Sequence, residues 1–319
     1  MKQKLYSSLA LFLAFLCLTA CSRTSLQPDA MRPIRFSIVN VSDIDNSDNE
    51  DIHDNYTLTK SIPPSQNRIT DLNIFIFNRQ QSLEKKIYIK ADQLDSDTNG
   101  LYFSEELMRG KEYEILACAN LGYACEVSSY EEAISLTAYI AYPDDYRMGI
   151  PMYTHILHAK VDKNDEIKLP LTRLMSKISI RIDRSKLNSD VNWHVESVKI
   201  CGCPRSCSIF QPNSPMEMYD IFNPGYVAEP ADVKILNSSS RGTTSYIDLY
   251  MFENICTANS PTAPYIDMKV RYSSPSYKSL DDNPLHFTFK LQNYNKTVSA
   301  YRNTWYRFNV RPEYDGLIH

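Results

Sequence analysis

Along most of the chain, apolar and polar residues alternate with the two-residue period of a β-strand rather than the 3.6-residue period of a helix. In Ile34-Arg-Phe-Ser-Ile-Val-Asn-Val41, the residues Ile34, Phe36 and Ile38 share one face. Arg68-Ile-Thr-Asp-Leu-Asn-Ile-Phe-Ile-Phe-Asn78 is the strongest strand of the first half. Its Leu72, Ile74 and Ile76 point one way and Phe75 and Phe77 the other, so both faces are expected to be covered. Further strands are predicted at 86–90 and 112–120. A helix is predicted over 130–140, capped by Ser128 or Ser129 and with Glu131 and Glu132 in its first turn. A second series begins near Leu171. There Leu174-Met-Ser-Lys-Ile-Ser-Ile-Arg-Ile-Asp183 puts Ile178, Ile180 and Ile182 on one face and Lys177, Ser179 and Arg181 on the other, the pattern of one buried and one wet face. Similar runs follow at 195–200, 246–253, 265–272, 285–294 and 304–310, separated by Pro- and Asn-rich connections at 204–230 and 259–264. Many short strands with turn-rich links and little helix indicate an all-β chain built of β-sandwiches. No fixed-period repeat occurs, which argues against a solenoid or propeller.

The amino end breaks this pattern. Lys2 and Lys4 precede an apolar stretch from Leu9 to Leu18, which leads into Leu18-Thr19-Ala20-Cys21. A basic start, a short apolar run and a small-residue cleavage site form a secretory signal, too short to span a bilayer. A cysteine directly after Leu-Thr-Ala resembles the lipobox of bacterial lipoprotein precursors. That resemblance implies a diacylated Cys21 thiol, cleavage before Cys21 and acylation of the new amino terminus, with acyl chains that anchor a soluble body to a membrane surface. The expected organisation is therefore a signal peptide over 1–20, a lipidated tether over 21–33 that carries Pro28, and two sandwich domains over 34–170 and 171–319. An acidic loop over 43–54 is too charged to pack.

Composition narrows the function classes. Of the 319 residues, 43% are hydrophobic and 23% charged, enough apolar surface for ordinary cores. The formal charge of −4 argues against nucleic acid as a partner, because a polyanion needs a basic face. There is no G-x-S-x-G elbow, H-E-x-x-H pair, P-loop or dinucleotide glycine fingerprint, and neither a catalytic constellation nor a cofactor is expected. His155-Ile-Leu-His158 would suit a metal on a helix, but the local pattern is extended, where the two rings are expected to face opposite sides. With Cys17 in the leader and Cys21 lipidated, Cys118, Cys125, Cys201, Cys203, Cys207 and Cys256 remain as disulfide candidates or buried thiols. Cys201-Gly-Cys-Pro-Arg-Ser-Cys207 is weak as a metal site, since structural zinc usually needs a second Cys/His pair nearby. Pairing is open at this level. The 22 tyrosines suit exposed contact faces as well as plain strand propensity.

Taken in order, four segments resemble the fimbrillin-like lipoproteins of Bacteroidales: Arg68 to Asn78, then Gly110-Lys-Glu-Tyr-Glu-Ile-Leu-Ala-Cys-Ala-Asn120, Leu171-Thr-Arg-Leu-Met-Ser-Lys-Ile-Ser-Ile180, and Tyr301-Arg-Asn-Thr-Trp-Tyr-Arg-Phe-Asn-Val310. The resemblance implies two tandem transthyretin-like β-sandwich domains, with the short helix in the first, and a structural, non-enzymatic role in a cell-surface fimbria on the outer membrane. Its implied partners are other fimbrial subunits, the membrane through the lipid, and host or bacterial surface ligands. In that family, polymerising subunits lose their first strand to an arginine-specific protease and a neighbour's strand fills the groove, whereas anchor subunits keep both lipid and strand. Here the loop over 42–59 holds no Arg or Lys; Lys60 and Arg68 come next, and Arg23, Arg32 and Arg35 precede or open the first strand. An anchor or accessory subunit is expected. The alternative, a glycan-binding lipoprotein of a polysaccharide-uptake system, would call for exposed aromatics, yet the mature chain offers only Trp193 and Trp305.

Overall fold

The computed structural model describes residues 31–40, 56–59, 68–140, 149–161, 165–215, 217–222, 226–227, 244–257, 259–273, 284–291 and 298–312. Within them the chain is a succession of strands, as the alternation requires. The first body contains β1 (Met31–Asn40), β3 (Asp71–Phe77), β4 (Leu83–Lys90), β5 (Asp95–Asp97), β6 (Gly100–Met108), β7 (Glu112–Ala119), β8 (Thr137–Tyr139), β9 (Met152–Lys160) and β10 (Glu166–Arg173). The second contains β11 (Met175–Asp183), β12 (Asn192–Cys201), β13 (Ser206–Ser208), β14 (Tyr226–Val227), β15 (Thr244–Phe252), β16 (Tyr265–Ser273), β17 (Leu285–Lys290) and β18 (Trp305–Val310). The short β2 (Tyr56–Thr59) leaves the first body and pairs antiparallel with β18.

In the first body an eight-stranded ladder runs β4-β3-β7-β9-β10-β1-β6-β5. It folds over on itself at β10, which pairs with β1 along most of its length but with β9 only at Thr172 and Arg173. Side chains from the two halves meet in one core. Ile34, Phe36 and Ile38 of β1, Phe103 and Leu107 of β6 and Leu169 of β10 face Leu72, Ile74 and Ile76 of β3 and Ile115 of β7. The second body is a sandwich of two four-stranded sheets, β15-β11-β18-β2 and β14-β12-β16-β17. Its core holds Ile178, Ile180 and Ile182 against Val195, Val198, Ile266 and Met268.

A third core joins the bodies. Phe75 and Phe77, on the opposite face of β3 from Leu72, pack with Leu116, Cys118, Leu174, Met175, Cys207, Ile209 and Phe252. The expectation that β3 is covered on both faces holds, and the second cover is the other body. No spacer separates the two: only the buried Leu174 lies between β10 and β11, with its N–H donated to the Pro151 carbonyl at 2.8 Å. A small β13–β8 ladder reinforces the seam. That ladder also explains a difference from the sequence reading. The helix α1 covers only Tyr130–Ile134, with Ser129 as its cap accepting from the Glu132 N–H, and Thr137–Tyr139 are drawn out of it as β8 to pair with Ser206–Ser208. Lys177 and Ser179 also depart from the wet face expected of them, for both are buried. The Lys177 ammonium pairs with Asp248 at 2.7 Å and lies 4.8 Å from the centre of the Trp305 ring, while the Trp305 indole N–H donates to Ser179 Oγ at 2.7 Å.

Asn120 ties the end of β7 down. It adopts φ +65°, a region Asn tolerates better than most side chains. Its Nδ2 donates to the carbonyls of Arg68 at 2.9 Å and Ile150 at 2.7 Å, and its Oδ1 accepts from the Thr70 N–H at 2.8 Å. Replacing Asn120 by alanine strands these buried backbone groups, so a loss of about 2–3 kcal/mol is expected in urea unfolding, with an unchanged m-value. A change within experimental error would mean that water replaces the amide.

Candidate functional site: the first strand and its slot

Ile34, Phe36 and Ile38 alternate inward because the strand period is two, and all three are buried. Phe36 stacks on Phe103 with ring centroids 4.8 Å apart and planes 10° from parallel. β1 is not at an edge. Met31 to Ser37 pair antiparallel with Met108 to Tyr102 of β6, and Arg35 to Asn40 pair in parallel with Glu166 to Leu171 of β10. From residue 35 to residue 37 both backbone sides are used at once. Removing β1 would leave a slot floored by core side chains and walled by two unpaired ladders, the arrangement that accepts a strand.

On the outer face Arg35 organises the polar contacts. Its guanidinium lies 3.6 Å from the centre of the Tyr102 ring and meets Asp97 at 2.7 Å, and its Nε donates to Ser37 Oγ at 3.1 Å. The Ser37 hydroxyl in turn donates to Glu166 Oε1 at 2.6 Å. The Asp97 carboxyl is held below its ordinary range, first by the Asn99 N–H and then by Arg35. A depressed carboxylate stabilises the fold at neutral pH and loses that contribution as pH falls through its folded value. These groups are a third exposed, and such pairs are worth at most about 1 kcal/mol. The ladders and the apolar face, not the ion pair, hold β1.

Cys21 lies outside the described residues, as does the acidic loop over 43–54. The six remaining cysteines are free thiols. Cys118 and Cys125 meet in the seam core, where the Cys118 thiol donates a hydrogen bond to Cys125; that bond and burial raise Cys118, while accepting it lowers Cys125. The others are dispersed. Cys201 meets the Tyr265 hydroxyl, Cys203 donates to the Ile200 carbonyl at 3.4 Å inside the second core, and Cys256 reaches the Val298 carbonyl. Cys207 sits beside Arg302 in the seam and is pushed up to about 12 by burial. The described residues hold no group of three or more His, Cys, Asp or Glu placed for a metal ion.

His155 and His158 do not face opposite sides. β9 carries an extra residue opposite Tyr113–Ile115 of β7, so both rings reach the same face. There His155 Nε2 meets Glu114 at 2.6 Å and His158 Nδ1 meets Glu112 at 2.7 Å. The Tyr130 hydroxyl shares the Glu114 carboxylate at 2.6 Å. Each imidazole has its own acidic partner, an arrangement that orients side chains. Periodicity alone had no signal for the bulge.

A strand-built body whose first strand is buried and paired on both sides is a β-sandwich protein. Comparisons narrow this. Residues 46–200 match the family model described as fimbrillin-A associated anchor proteins Mfa1 and Mfa2. Over that stretch, just under half of the chain, the sequence is similar to this family of fimbrial anchor proteins. Its fold is similar to that of the tip fimbrial protein Mfa3 from Porphyromonas gingivalis, at TM-score 0.54 and 10% identity, over 87% of this chain and 94% of that one. A putative cell adhesion protein from Bacteroides eggerthii aligns at TM-score 0.54 and 11% identity, over 91% and 88%. Another, from Parabacteroides distasonis, aligns at TM-score 0.51 and 15% identity, over 83% and 90%. No curated protein matches by sequence.

Proposed function

We propose that this protein is a lipid-anchored anchor or accessory subunit of a cell-surface fimbria, retaining its first strand and holding partner subunits at the outer membrane. The observation that carries this reading is the contrast between β1 and the loop after it. β1 is paired on both sides and buried by Ile34, Phe36 and Ile38, while residues 42–59 hold no Arg or Lys at which a basic-specific protease could free it. A subunit that keeps β1 cannot receive a neighbour's strand in that slot, so it ends a chain of subunits rather than extending one. The lipobox-like Leu18-Thr19-Ala20-Cys21 supplies the complementary feature, an attachment to the membrane. The sandwich division near residue 171 is taken as the domain division, each part having its own core.

The glycan-binding alternative gains no support from the two tryptophans. Trp193 is buried, and Trp305 is overlain by Lys177 and by Arg307, whose guanidinium lies 3.6 Å from the ring centre. The test is Cys21→Ser in the native organism, read by membrane fractionation and by fibre retention on cells. Release of the protein into the medium together with fibres is expected. Fibres that remain attached to cells carrying the variant would sink the anchor role, and a protein that stays in the membrane fraction would sink the lipid.

A further inference from the structure

The turn that follows β7 is built to bring one cysteine back over another. Asn120 at φ +65° and Gly122 at φ +82° reverse the chain. The Asp71 carboxylate then receives the N–H groups of Leu121 at 3.2 Å and Gly122 at 2.9 Å, which lays the turn against the start of β3. Asn73 completes the fold-back: its Nδ2 donates to the Tyr123 carbonyl at 3.0 Å and its Oδ1 accepts from the Cys125 N–H at 2.8 Å. In the β3–β7 ladder Asn73 stands directly opposite Cys118. Residues paired in this way send their side chains to the same face. The same amide that fixes the Cys125 backbone therefore places it above the Cys118 side chain, and both cysteines are buried in the one seam core.

We propose that Cys118 and Cys125 are a disulfide-forming pair that locks this turn onto the β3–β7 sheet. The oxidant is a disulfide-bearing thiol oxidoreductase of the cell envelope. The Cys125 thiolate attacks the catalyst's disulfide and one catalyst thiolate leaves. The Cys118 thiolate then attacks the Cys125 sulfur and expels the second. Two S–H bonds and the catalyst's S–S bond are lost and one S–S bond forms in the protein; the two electrons and, through solvent, the two protons pass to the catalyst, which leaves as its dithiol. Reaction takes place during folding, before burial closes the site. The bond would stiffen the first body's half of the seam, where Cys125 and Val127 pack in the same cluster as Met175 and Phe252 of the second body.

The cellular part of this inference rests on export, and the experiment separates the two. Mature protein is unfolded, reduced, refolded with reduced and oxidised glutathione, alkylated after denaturation and digested with trypsin. Cys118 and Cys125 share the peptide 112–147, whereas Cys201 and Cys203 lie in 200–205, Cys207 in 206–234 and Cys256 in 242–269. Peptide 112–147 is expected unlabelled and about 2 Da light, at glutathione ratios that leave the other three peptides labelled. Labelling of both its thiols, or a link from it to another cysteine peptide, overturns the pairing. As a second readout, reductant should lower the melting temperature of the wild type by several degrees and leave Cys125→Ser unchanged; equal responses would overturn the lock. Protein isolated from cells should carry the closed pair. If it were reduced there while closing on refolding, the pair would stand and the export reading would fall.

Discussion

Replacing Arg302 by alanine is expected to cost about 3–5 kcal/mol, because it leaves a buried carboxylate and several carbonyls without their donor. The Arg302 and Glu253 side chains are 10% and 6% exposed and meet at 2.6 Å. The same guanidinium donates to the carbonyls of Ile209 at 2.9 Å, Ser208 at 3.2 Å and Gln211 at 2.7 Å, and it stacks 4.9 Å from the centre of the Tyr153 ring on β9. One side chain thus clasps the connection after β13 from the second body and rests on a strand of the first. At roughly 2–4 °C per kcal/mol for a chain approaching this size, a fall in melting temperature on the order of 10 °C should follow. Arg302→Lys should recover only part of it, since an ammonium cannot span the donors of a planar fork. Combining Arg302→Met with Glu253→Leu should cost less than the sum of the single changes, because the pair loses its desolvation penalty together with its attraction. If the single changes add without coupling, the clasp is not a unit. Differential scanning calorimetry should also show the variant's transition broadening or splitting as the bodies lose their shared hold.

Phe36→Ala should open the first strand. Truncating a fully buried, stacked phenylalanine costs about 3–5 kcal/mol, and here the loss falls on one strand. Arg35 is the cleavable residue of β1, since Pro33 follows Arg32, and it stands in both ladders, where a protease cannot engage it until the strand detaches. An arginine-specific protease should therefore cut the wild type there slowly, through rare opening. It should cut Phe36→Ala roughly 10²- to 10³-fold faster if the loss appears in the local opening equilibrium. Mass spectrometry of the released amino-terminal peptides against time reads this directly. A wild type cut as fast as the variant would mean that β1 is not retained, and the anchor reading would lose its support.

Local pattern sufficed where both local and long-range forces agree. β11 and β18 announce themselves by alternation and β3 and β7 by short apolar runs, and the inward set of β1 is legible because Ile34, Phe36 and Ile38 share one face. β6 and β10 were harder. Glu105 and Glu106 interrupt one, and Pro170 interrupts the other, whose Ile167, Leu169 and Leu171 nonetheless alternate inward opposite the lone partner β1 on that stretch. The parallel β1–β10 pairing unites residues 129 apart, as Ser37 and Glu166 are, and no window of the chain records it. Lys177 reads as solvent-facing from its neighbours, yet Asp248 and Trp305, far along the chain, bury it.

By itself the sequence determined an all-β chain with an apolar first strand, a lipobox-like cysteine and a following loop without basic residues, all properties set by residue type and spacing. Only the tertiary structure decided that β1 fills an interior slot, that Cys118 has Cys125 above it, and that Arg302 clasps both bodies. These depend on which strands become neighbours, and that choice comes from the burial of whole faces against one another rather than from any local preference.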